Sequence, residues 1–313
     1  MTATAPVARS AGLGLLRATT RWVRGGGLAT FVFVLPMLLI FGLFSWLPIV
    51  KAVVMSMQST NLVTDAQWVG LDNFRQVFND PLLWTAVKNT AYFAALALVF
   101  GYPVPLVLAV LMSDLRRARW IYAALAYVPV VIPPVVAVLL WRFFYDSGPT
   151  GVFNTLAGWV GLGPYPWLES AHTAMPSLVL EATWAAAGGT VIIYLAALVA
   201  VPPELYDAAE VDGAGVWRKI WHVTLPQLRG VLFITLVLQV VGTAQVFLEP
   251  YLFTGGGPDH ATTTVLLLIY DYAFGNTLGG NYGAATALSL MLAVTLALLS
   301  AVFFRLTRSW STS

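Results

Sequence analysis

The sequence contains no cysteine, only three histidines and few charged residues. Without cysteine there are no disulfides, no thiolate metal ligands and no cysteine nucleophile. Charged residues make up 10% of the 313 residues, against about 25% in a typical soluble domain. Hydrophobic residues make up 59%, and the mean hydropathy is +0.79. So little charge cannot cover a water-facing surface, and the composition therefore predicts a membrane protein.

The sequence also lacks the motifs of nucleotide and metal chemistry. No G-x-x-x-x-G-K-[ST] phosphate loop is present, and the glycine clusters at 25–27 and 255–257 have the composition of turns. The histidines His172, His222 and His260 are isolated, and no paired catalytic carboxylates lie in the apolar stretches. We therefore expect no catalytic residue, no metal site and no enzyme activity, so that energy comes from a partner or an ion gradient. The net charge of +2 gives no indication of a nucleic-acid partner.

Charge-free apolar stretches of about 20 residues, the length that crosses a bilayer, divide the chain into spans. The stretch between Asp146 and Glu169 is long enough, but Gly and Pro interrupt it, so we predict no span there. The first span follows basic residues as a signal peptide would, but its apolar run is too long and no cleavage site follows. The predicted fold is an all-α integral membrane protein, 28–305, between tails at 1–27 and 306–313. Its six transmembrane helices are expected at 28–51, 86–112, 120–143, 177–199, 230–252 and 283–304.

Lysine and arginine are enriched on the cytoplasmic side of membrane proteins, and they set the predicted orientation. With both termini cytoplasmic, only Lys51, Arg75, Lys88 and Arg142 fall outside, whereas a seventh span would move five further cations outward. The outer loops are then 58–84, 145–175 and 254–281. The cations expected inside are Arg9, Arg17, Arg21, Arg24, Arg116, Arg117, Arg119, Arg218, Lys219, Arg229, Arg305 and Arg308.

One polar passage, 202–229, lies between the predicted fourth and fifth spans on the cytoplasmic side. Pro202 and Pro203 suit a helix start, and Gly213 can end that helix in the left-handed conformation. We predict a second helix that is closed by Pro226 and anchored on the membrane domain by an apolar stripe. The first helix presents one narrow face, Leu205, Ala208, Ala209 and Asp212, and the stripe of the second is Trp217, Ile220, Trp221 and Thr224. An amphipathic hairpin that merely joins two spans has the same pattern.

The residues of this passage resemble a known motif. "DAAEVDGAGVWRKIWHVTLP", 207–226, resembles the EAA loop of permease subunits of bacterial ATP-binding-cassette (ABC) importers: Glu-Ala-Ala, three residues, Gly, nine residues, Ile-x-Leu-Pro. Asp207 replaces the Glu and Val223 the Ile. The resemblance implies that this loop docks into a cleft of a cytoplasmic ATPase and transmits its closure to the membrane helices. The residues implied in this coupling are Glu204, Asp207, Ala208, Ala209, Asp212, Gly213, Leu225 and Pro226.

Two further stretches, "WVGLDNFRQVFND" (68–80) and "LFTGGGPDHATTTVLLLIYDYAF" (252–274), resemble the carbohydrate-uptake branch of these permeases, the first permease of maltose- and glycerol-3-phosphate-type importers. This implies a multi-pass protein of the bacterial inner membrane that carries a di- or oligosaccharide and itself binds no cofactor. The implied partners are a second homologous permease in a heterodimer, two copies of an ABC ATPase that hold ATP and Mg²⁺, and an extracytoplasmic solute-binding protein. Glycerol-3-phosphate or a related polyol is the alternative solute.

The residues alone leave a second mechanism open, an ion-gradient-driven secondary carrier that uses Glu181 or Glu249. Both glutamates lie near the predicted outer ends of their helices and not at the bilayer midplane, where ion-coupling groups are usual.

A polar stripe on the predicted fifth span indicates where the solute passes. Gln239, Gly242, Gln245 or Val246, and Glu249 recur at about helical spacing on an apolar helix. Polar groups against lipid are costly unless they are hydrogen-bonded, so the stripe must face protein or a water-filled cavity. We predict that the glutamines bind sugar hydroxyls, that Trp184 offers an apolar face to a sugar ring and that Glu181 lines the outer mouth. Hydrogen bonding between helices is the alternative role.

Overall fold

The computed structural model describes residues 25–113, 115, 119–275 and 279–307, and the fold is all-α, as predicted. A short antiparallel hairpin pairs β1 (Gln58–Ser59) with β2 (Gln67–Trp68), with Gln58 opposite Trp68. A π-helical turn at Pro250–Thr254 follows the ninth helix. The helices, each including the π-helical turns that continue it, are α1 Gly27–Ser56, α2 Asp72–Asn79, α3 Pro81–Ser113, α4 Arg119–Val131, α5 Pro134–Phe144, α6 Val152–Gly158, α7 Ala174–Val199, α8 Pro203–Val211, α9 Val216–Thr243, α10 Val265–Phe274 and α11 Tyr282–Thr307.

Five of the described helices, α1, α3, α7, α9 and α11, are long and apolar enough to cross a membrane. A sixth span results if α4 and α5 count together, so the six-span topology stays a prediction. The interrupted stretch after Asp146 contains only α6, which has seven residues and is too short to span.

The third predicted span, 120–143, is wrong as a single helix. Its two halves, α4 and α5, are bent by 96° at the break before Pro134. Pro133 and Pro134 explain the break because a proline lacks the N–H that an α-helix needs and disfavours helical geometry at the residue before it.

The fifth predicted span, 230–252, is displaced in the structure. The helix α9 begins at Val216 and runs through Pro226, so Pro226 does not close a separate helix. A π-helical turn at Ile220–Thr224 directly precedes this proline and accommodates it without ending the helix. The same helix ends at Thr243, seven residues before Pro250, which opens the next helical turn.

The predicted outer loop 254–281 contains the apolar helix α10, which the sequence analysis missed because Asp271 interrupts its charge-free run. Its ten residues are too few to cross a bilayer. It packs against α3 and α11, and Val265 and Leu268 join a buried cluster with Leu288 of α11.

The helix α7 is at the centre of the packing, because it contacts α3 and α4 along its length and also touches α5 and α9. Small residues permit this close approach, as is usual between membrane helices. At Gly188 an added Cβ would lie 2.1 Å from the backbone oxygen of Ala126 in α4. Val191, Tyr194 and Leu195 continue the buried face of α7 toward its carboxyl end.

The chain forms two compact units, one up to Met55 and one from Ser56 onward. Most of the two predicted tails, residues 1–24 and 308–313, lies outside the described residues. The same holds for seven cations of the orientation argument, Arg9, Arg17, Arg21, Arg24, Arg116, Arg117 and Arg308, so that the cytoplasmic location of both termini stays a prediction.

Candidate functional site

The polar passage folds as a short helix, a turn and the start of α9. Pro203 occupies the first turn of α8, and Glu204 is the acidic residue that favours a helix amino end. The helix ends in a Schellman motif, with Gly213 at φ 72°. There Gly213 N–H donates to the Glu210 oxygen (3.0 Å), and Ala214 N–H donates to the Ala209 oxygen (2.8 Å). The left-handed glycine that the sequence predicted is therefore present.

Two side-chain contacts fix α8 against the beginning of α9. The Tyr206 and Thr224 hydroxyls lie 3.1 Å apart. The Lys219 ammonium donates to Glu210 at 2.8 Å, and this hydrogen bond and the positive charge hold the pKa of the glutamate below its usual value. The loop thus has a defined shape before any partner binds.

The surface of this loop is uncovered. The predicted coupling residues Glu204, Asp207, Ala208, Asp212 and Gly213 are exposed, as is Pro226, while Ala209 and Leu225 are partly buried. Val211 is 88% exposed. The structure therefore brings the predicted residues of α8 and its turn together on one exposed element, whereas Leu225 and Pro226 lie within α9.

The expected anchoring role of the tryptophan stripe is wrong within this chain. Trp217 and Trp221 are 76% and 64% exposed, and only Thr224 of the stripe is buried. The π-helical turn at Ile220–Thr224 explains part of this difference, since an added residue in a helical turn shifts the register of the face.

A second feature is a cavity of about 530 Å³ between α3, α7 and the end of α9. The predicted stripe residues Gln239, Gly242, Gln245 and Glu249 all line it, although Gln245 and Glu249 lie beyond the end of α9 and not on one continuous helix. The break at Thr243 therefore changes how these residues are positioned, while they still reach one cavity.

Hydroxyl groups that the sequence analysis did not single out tie the cavity walls together. Tyr102 of α3 donates to the Leu232 carbonyl at 2.6 Å, and the Tyr194 hydroxyl of α7 lies 2.8 Å from that of Thr235 on α9. Thr235 itself lines the cavity. Tyrosine and threonine within apolar spans were the available signal, because such polar groups must find partners in a membrane.

Of the two predicted glutamates, Glu249 lines the cavity and Glu181 is not among the residues that line it. Glu181 is 2% exposed, and its Oε2 atom has no hydrogen-bond partner among the described residues. Glu249 directly precedes the π-helical turn Pro250–Thr254 and lines the cavity. A buried carboxyl oxygen without a hydrogen-bond partner is rare in folded proteins, and such groups are often found at functional sites.

Trp184 is held differently from the predicted arrangement. Its ring lies 5.4 Å from that of Trp141 and packs against an aromatic cluster of α5, α6 and the loop after α6. It is not among the residues that line the cavity. Its role as a face for a sugar ring stays a prediction.

The loop that follows α5 is organised by Asn154, which sequence reasoning missed. Its side chain accepts from Tyr165 N–H (2.8 Å) and from the Trp167 indole (2.9 Å) and donates to carbonyls on both sides, including that of Tyr165. One buried amide thus holds the loop against the aromatic cluster.

Residues 101–310, which include the loop and most of the residues that line the cavity, match the family described as binding-protein-dependent transport system inner membrane component. The chain belongs to this family. The resemblance to ABC-importer permeases is thereby confirmed, and these permeases are the non-catalytic membrane components of their transporters.

Individual relatives cover almost the whole permease. The probable ABC transporter permease protein YurN of Bacillus subtilis is 31% identical over 280 residues, 88% of this chain and 95% of the relative. The arabinooligosaccharides transport system permease protein AraP of Halalkalibacterium halodurans is 33% identical over 267 residues, 84% of this chain and 83% of the relative. Among solved structures, a chain of the bacterial alginate ABC transporter in complex with an alginate pentasaccharide-bound periplasmic protein superimposes on this chain with a TM-score of 0.81 at 26% identity. The match covers 93% of this chain and 98% of the transporter chain.

Proposed function

We propose that this chain is the membrane permease subunit of a bacterial ATP-driven sugar importer and forms one side of the path of a di- or oligosaccharide. The cavity between α3, α7 and α9 is its part of that path. The loop from α8 to the start of α9 receives the movement of a separate ATPase. The observation that carries this proposal is this loop, whose shape is fixed by internal hydrogen bonds and most of whose coupling residues are exposed.

The complete transporter contains two such membrane subunits, since one coupling loop serves one ATPase subunit. Its other parts are a second, homologous permease, two ATPase subunits that hold ATP and Mg²⁺, and an extracytoplasmic solute-binding protein. The permease lies in the bacterial inner membrane with both termini in the cytoplasm.

A sugar is the solute that the cavity supports best. Gln239, Gln245 and Glu249 provide polar groups for hydroxyls in a wall that also contains four threonines, and two of the relatives named above belong to transporters of arabinooligosaccharides and alginate. The alternative solute, glycerol-3-phosphate or a related polyol, is less well supported because none of the described lining residues is Lys or Arg.

The test is ATP hydrolysis by the reconstituted complex over a panel of sugars. We expect at least one sugar to stimulate hydrolysis, and we expect Ala209→Trp to abolish the stimulation because its bulk blocks docking of α8. Ala66→Trp, at an exposed position between β1 and β2, is the control and should keep the stimulation. Stimulation that survives Ala209→Trp would remove this loop from the mechanism. Uptake that persists without ATP and collapses with an uncoupler would instead indicate an ion-gradient-driven carrier.

A further inference from the structure

The predicted outer loop between α5 and α7 carries a group of exposed apolar side chains at the end of α6 and just beyond it. We call this group the apolar tip, and its residues are Leu156, Trp159, Val160 and Leu162. Trp159 and Val160 are 77% and 73% exposed. The whole stretch between Asp146 and Glu169 contains no charged residue, whereas about a quarter of the residues of a soluble domain are charged. The surface of this loop is therefore poorly suited to water.

The apolar tip is held in a fixed position. The helix α6 ends in a Schellman motif, in which Gly161 has φ 76° and Leu162 N–H donates to the Ala157 oxygen at 2.9 Å. Beyond the tip the chain returns to the buried Asn154, whose side-chain oxygen accepts from the Trp167 indole. Because hydrogen bonds fix the chain on both sides of the tip, its exposure is a property of the fold.

The other end of α6 is packed against α5. The ring centroid of Phe153 lies 5.5 Å from that of Trp141 and 5.6 Å from that of Phe144, and both of these residues belong to α5. Trp159 follows Phe153 by about 9 Å of helix axis at 1.5 Å per residue. The tip is therefore a short distance from the carboxyl end of α5.

The helix α5 is one half of a candidate membrane span. Val138 and Trp141 lie on its buried face, and Val136, Leu139 and Phe143 form an exposed apolar face at i, i+3 and i+7 spacing. An exposed face of this kind on a membrane helix is suited to lipid. The polar headgroup region extends about 5–8 Å beyond the hydrocarbon core on each side, which is comparable with the length of α6 that separates the tip from α5.

The chemistry of the apolar tip favours lipid over a protein partner. A protein–protein interface surrounds its apolar centre with a polar rim, and the stretch between Asp146 and Glu169 offers no charged side chain for such a rim. The boundary of a bilayer requires none. Tryptophan is enriched at this boundary because its ring is apolar and its N–H is polar, and helices that lie in the boundary are buried about 5–10 Å deep.

We propose that the apolar tip is immersed in the lipid boundary beside the carboxyl end of α5 and anchors the loop to the bilayer. The loop also supplies part of the aromatic cluster, in which Phe93 and Val246 are buried, and both of these residues line the cavity. The anchor thus fixes one wall of the cavity relative to the membrane. Such an anchor requires only that α5 lies in the membrane, whatever the solute.

The experiment uses the absence of native cysteine from this chain. Val160→Cys and Leu162→Cys each carry a nitroxide spin label, and the intact complex, with any cysteines of the partner subunits replaced by serine, is placed in lipid nanodiscs. Ala171→Cys is the reference label, at an exposed position of the same loop between the exposed Glu169 and His172. The accessibility of each label is measured to oxygen, which concentrates in the bilayer, and to a nickel chelate, which stays in water.

We expect the oxygen-to-nickel accessibility ratio at both tip labels to exceed the ratio at Ala171→Cys by roughly fivefold or more, since the tip lies about 5–10 Å into the boundary. The ratios should stay the same when the solute-binding protein is added.

Two double variants show whether the apolar side chains cause this difference. Trp159→Ser with Val160→Ser should bring the ratio at Leu162→Cys to within about twofold of the reference, because most of the apolar surface of the tip is removed. Thr150→Ser with Thr155→Ser is the matched control at exposed polar positions and should leave the ratio unchanged. All four replaced side chains are exposed, so the aromatic cluster is not disturbed.

Equal ratios at the tip and the reference would overturn the proposal. So would low accessibility to both reagents, which would show that protein covers the tip, and so would protection that appears only when the solute-binding protein is added. Sugar-stimulated hydrolysis by the same complexes separates this failure from that of the proposed function. If sugars stimulate hydrolysis while the ratios are equal, only the anchor falls; if no sugar stimulates while the ratios differ as expected, only the sugar assignment falls.

Discussion

Gly188 and Gly189 are adjacent in α7, and the structure predicts opposite effects when each is replaced by alanine. At Gly188 the new Cβ would lie 2.1 Å from the Ala126 oxygen, 2.8 Å from its carbonyl carbon and 2.9 Å from the Tyr127 Cα. All three atoms belong to the α4 backbone, so no side chain can rotate away. At Gly189 the new Cβ would meet nothing within 4 Å.

The size of the effect follows from these distances. Reaching an ordinary contact of 3.4 Å from 2.1 Å requires α4 and α7 to separate by 1.3 Å at this crossing. Overpacking of this kind costs about 1–3 kcal/mol of folding free energy, and because the contacted atoms are backbone atoms that cannot rotate away, Gly188→Ala lies at the upper end. Gly189→Ala gains up to about 1 kcal/mol of helix propensity. The two variants should therefore differ by about 3–4 kcal/mol.

The assay is thermal unfolding of the purified protein, in which size-exclusion chromatography after heating measures the fraction that remains folded. With about 2–4 °C per kcal/mol for a chain of 150–250 residues, the midpoints should differ by roughly 6–16 °C, with Gly188→Ala the less stable. Equal midpoints would refute the close approach of α4 and α7. If Gly189→Ala were the destabilised variant instead, α4 would contact the face of α7 that carries Gly189 and not the face that carries Gly188.

Other substitutions test the loop, the cavity and the topology. Gly213→Ala places a side chain at φ 72° and should cost about 1–2 kcal/mol and weaken ATPase association, while Gly215→Ala, at φ −67°, should not; equal co-purification would contradict this. Tyr206→Phe removes the hydroxyl contact with α9 and should lower sugar-stimulated hydrolysis more than ATPase binding; unchanged stimulation would make the contact dispensable. Gln239→Leu should weaken sugar uptake or change its preference without preventing assembly, and unchanged uptake and selectivity would make this residue structural. Asp259→Cys should react with an impermeant thiol reagent from outside, and labelling only after permeabilisation would overturn the predicted topology.

The parts of the fold that follow from local composition could be predicted from the sequence. Helices α3, α7 and α11 contain the predicted spans because length and apolarity alone identify a membrane helix. Gly213 was predictable for a similar local reason, since a glycine after a short helix commonly forms a left-handed cap.

The predicted bounds of the third and fifth spans were wrong because the effect of a proline on a helix depends on the structure around it. Pro133 and Pro134 break the predicted third span, whereas Pro226, following a π-helical turn, leaves α9 continuous. The sequence does not distinguish these outcomes, because the turn before Pro226 is a three-dimensional adjustment. The contact at Gly188 was likewise out of reach, since it depends on which face of α7 meets α4.

Continuity of α9 connects the two candidate sites mechanically. Its 28 residues correspond to about 42 Å of helix at 1.5 Å per residue. Thr224, the ninth residue of this helix, contacts Tyr206 of α8, and Gln239 and Gly242 near its carboxyl end lie in the cavity wall. A helix ended at Pro226 would place a flexible joint between loop and cavity, whereas a continuous helix moves both ends together. On the proposed function, displacement of α8 by an ATPase therefore reaches the solute through a rigid element, and the break after Thr243 leaves Gln245 and Glu249 free to move relative to it.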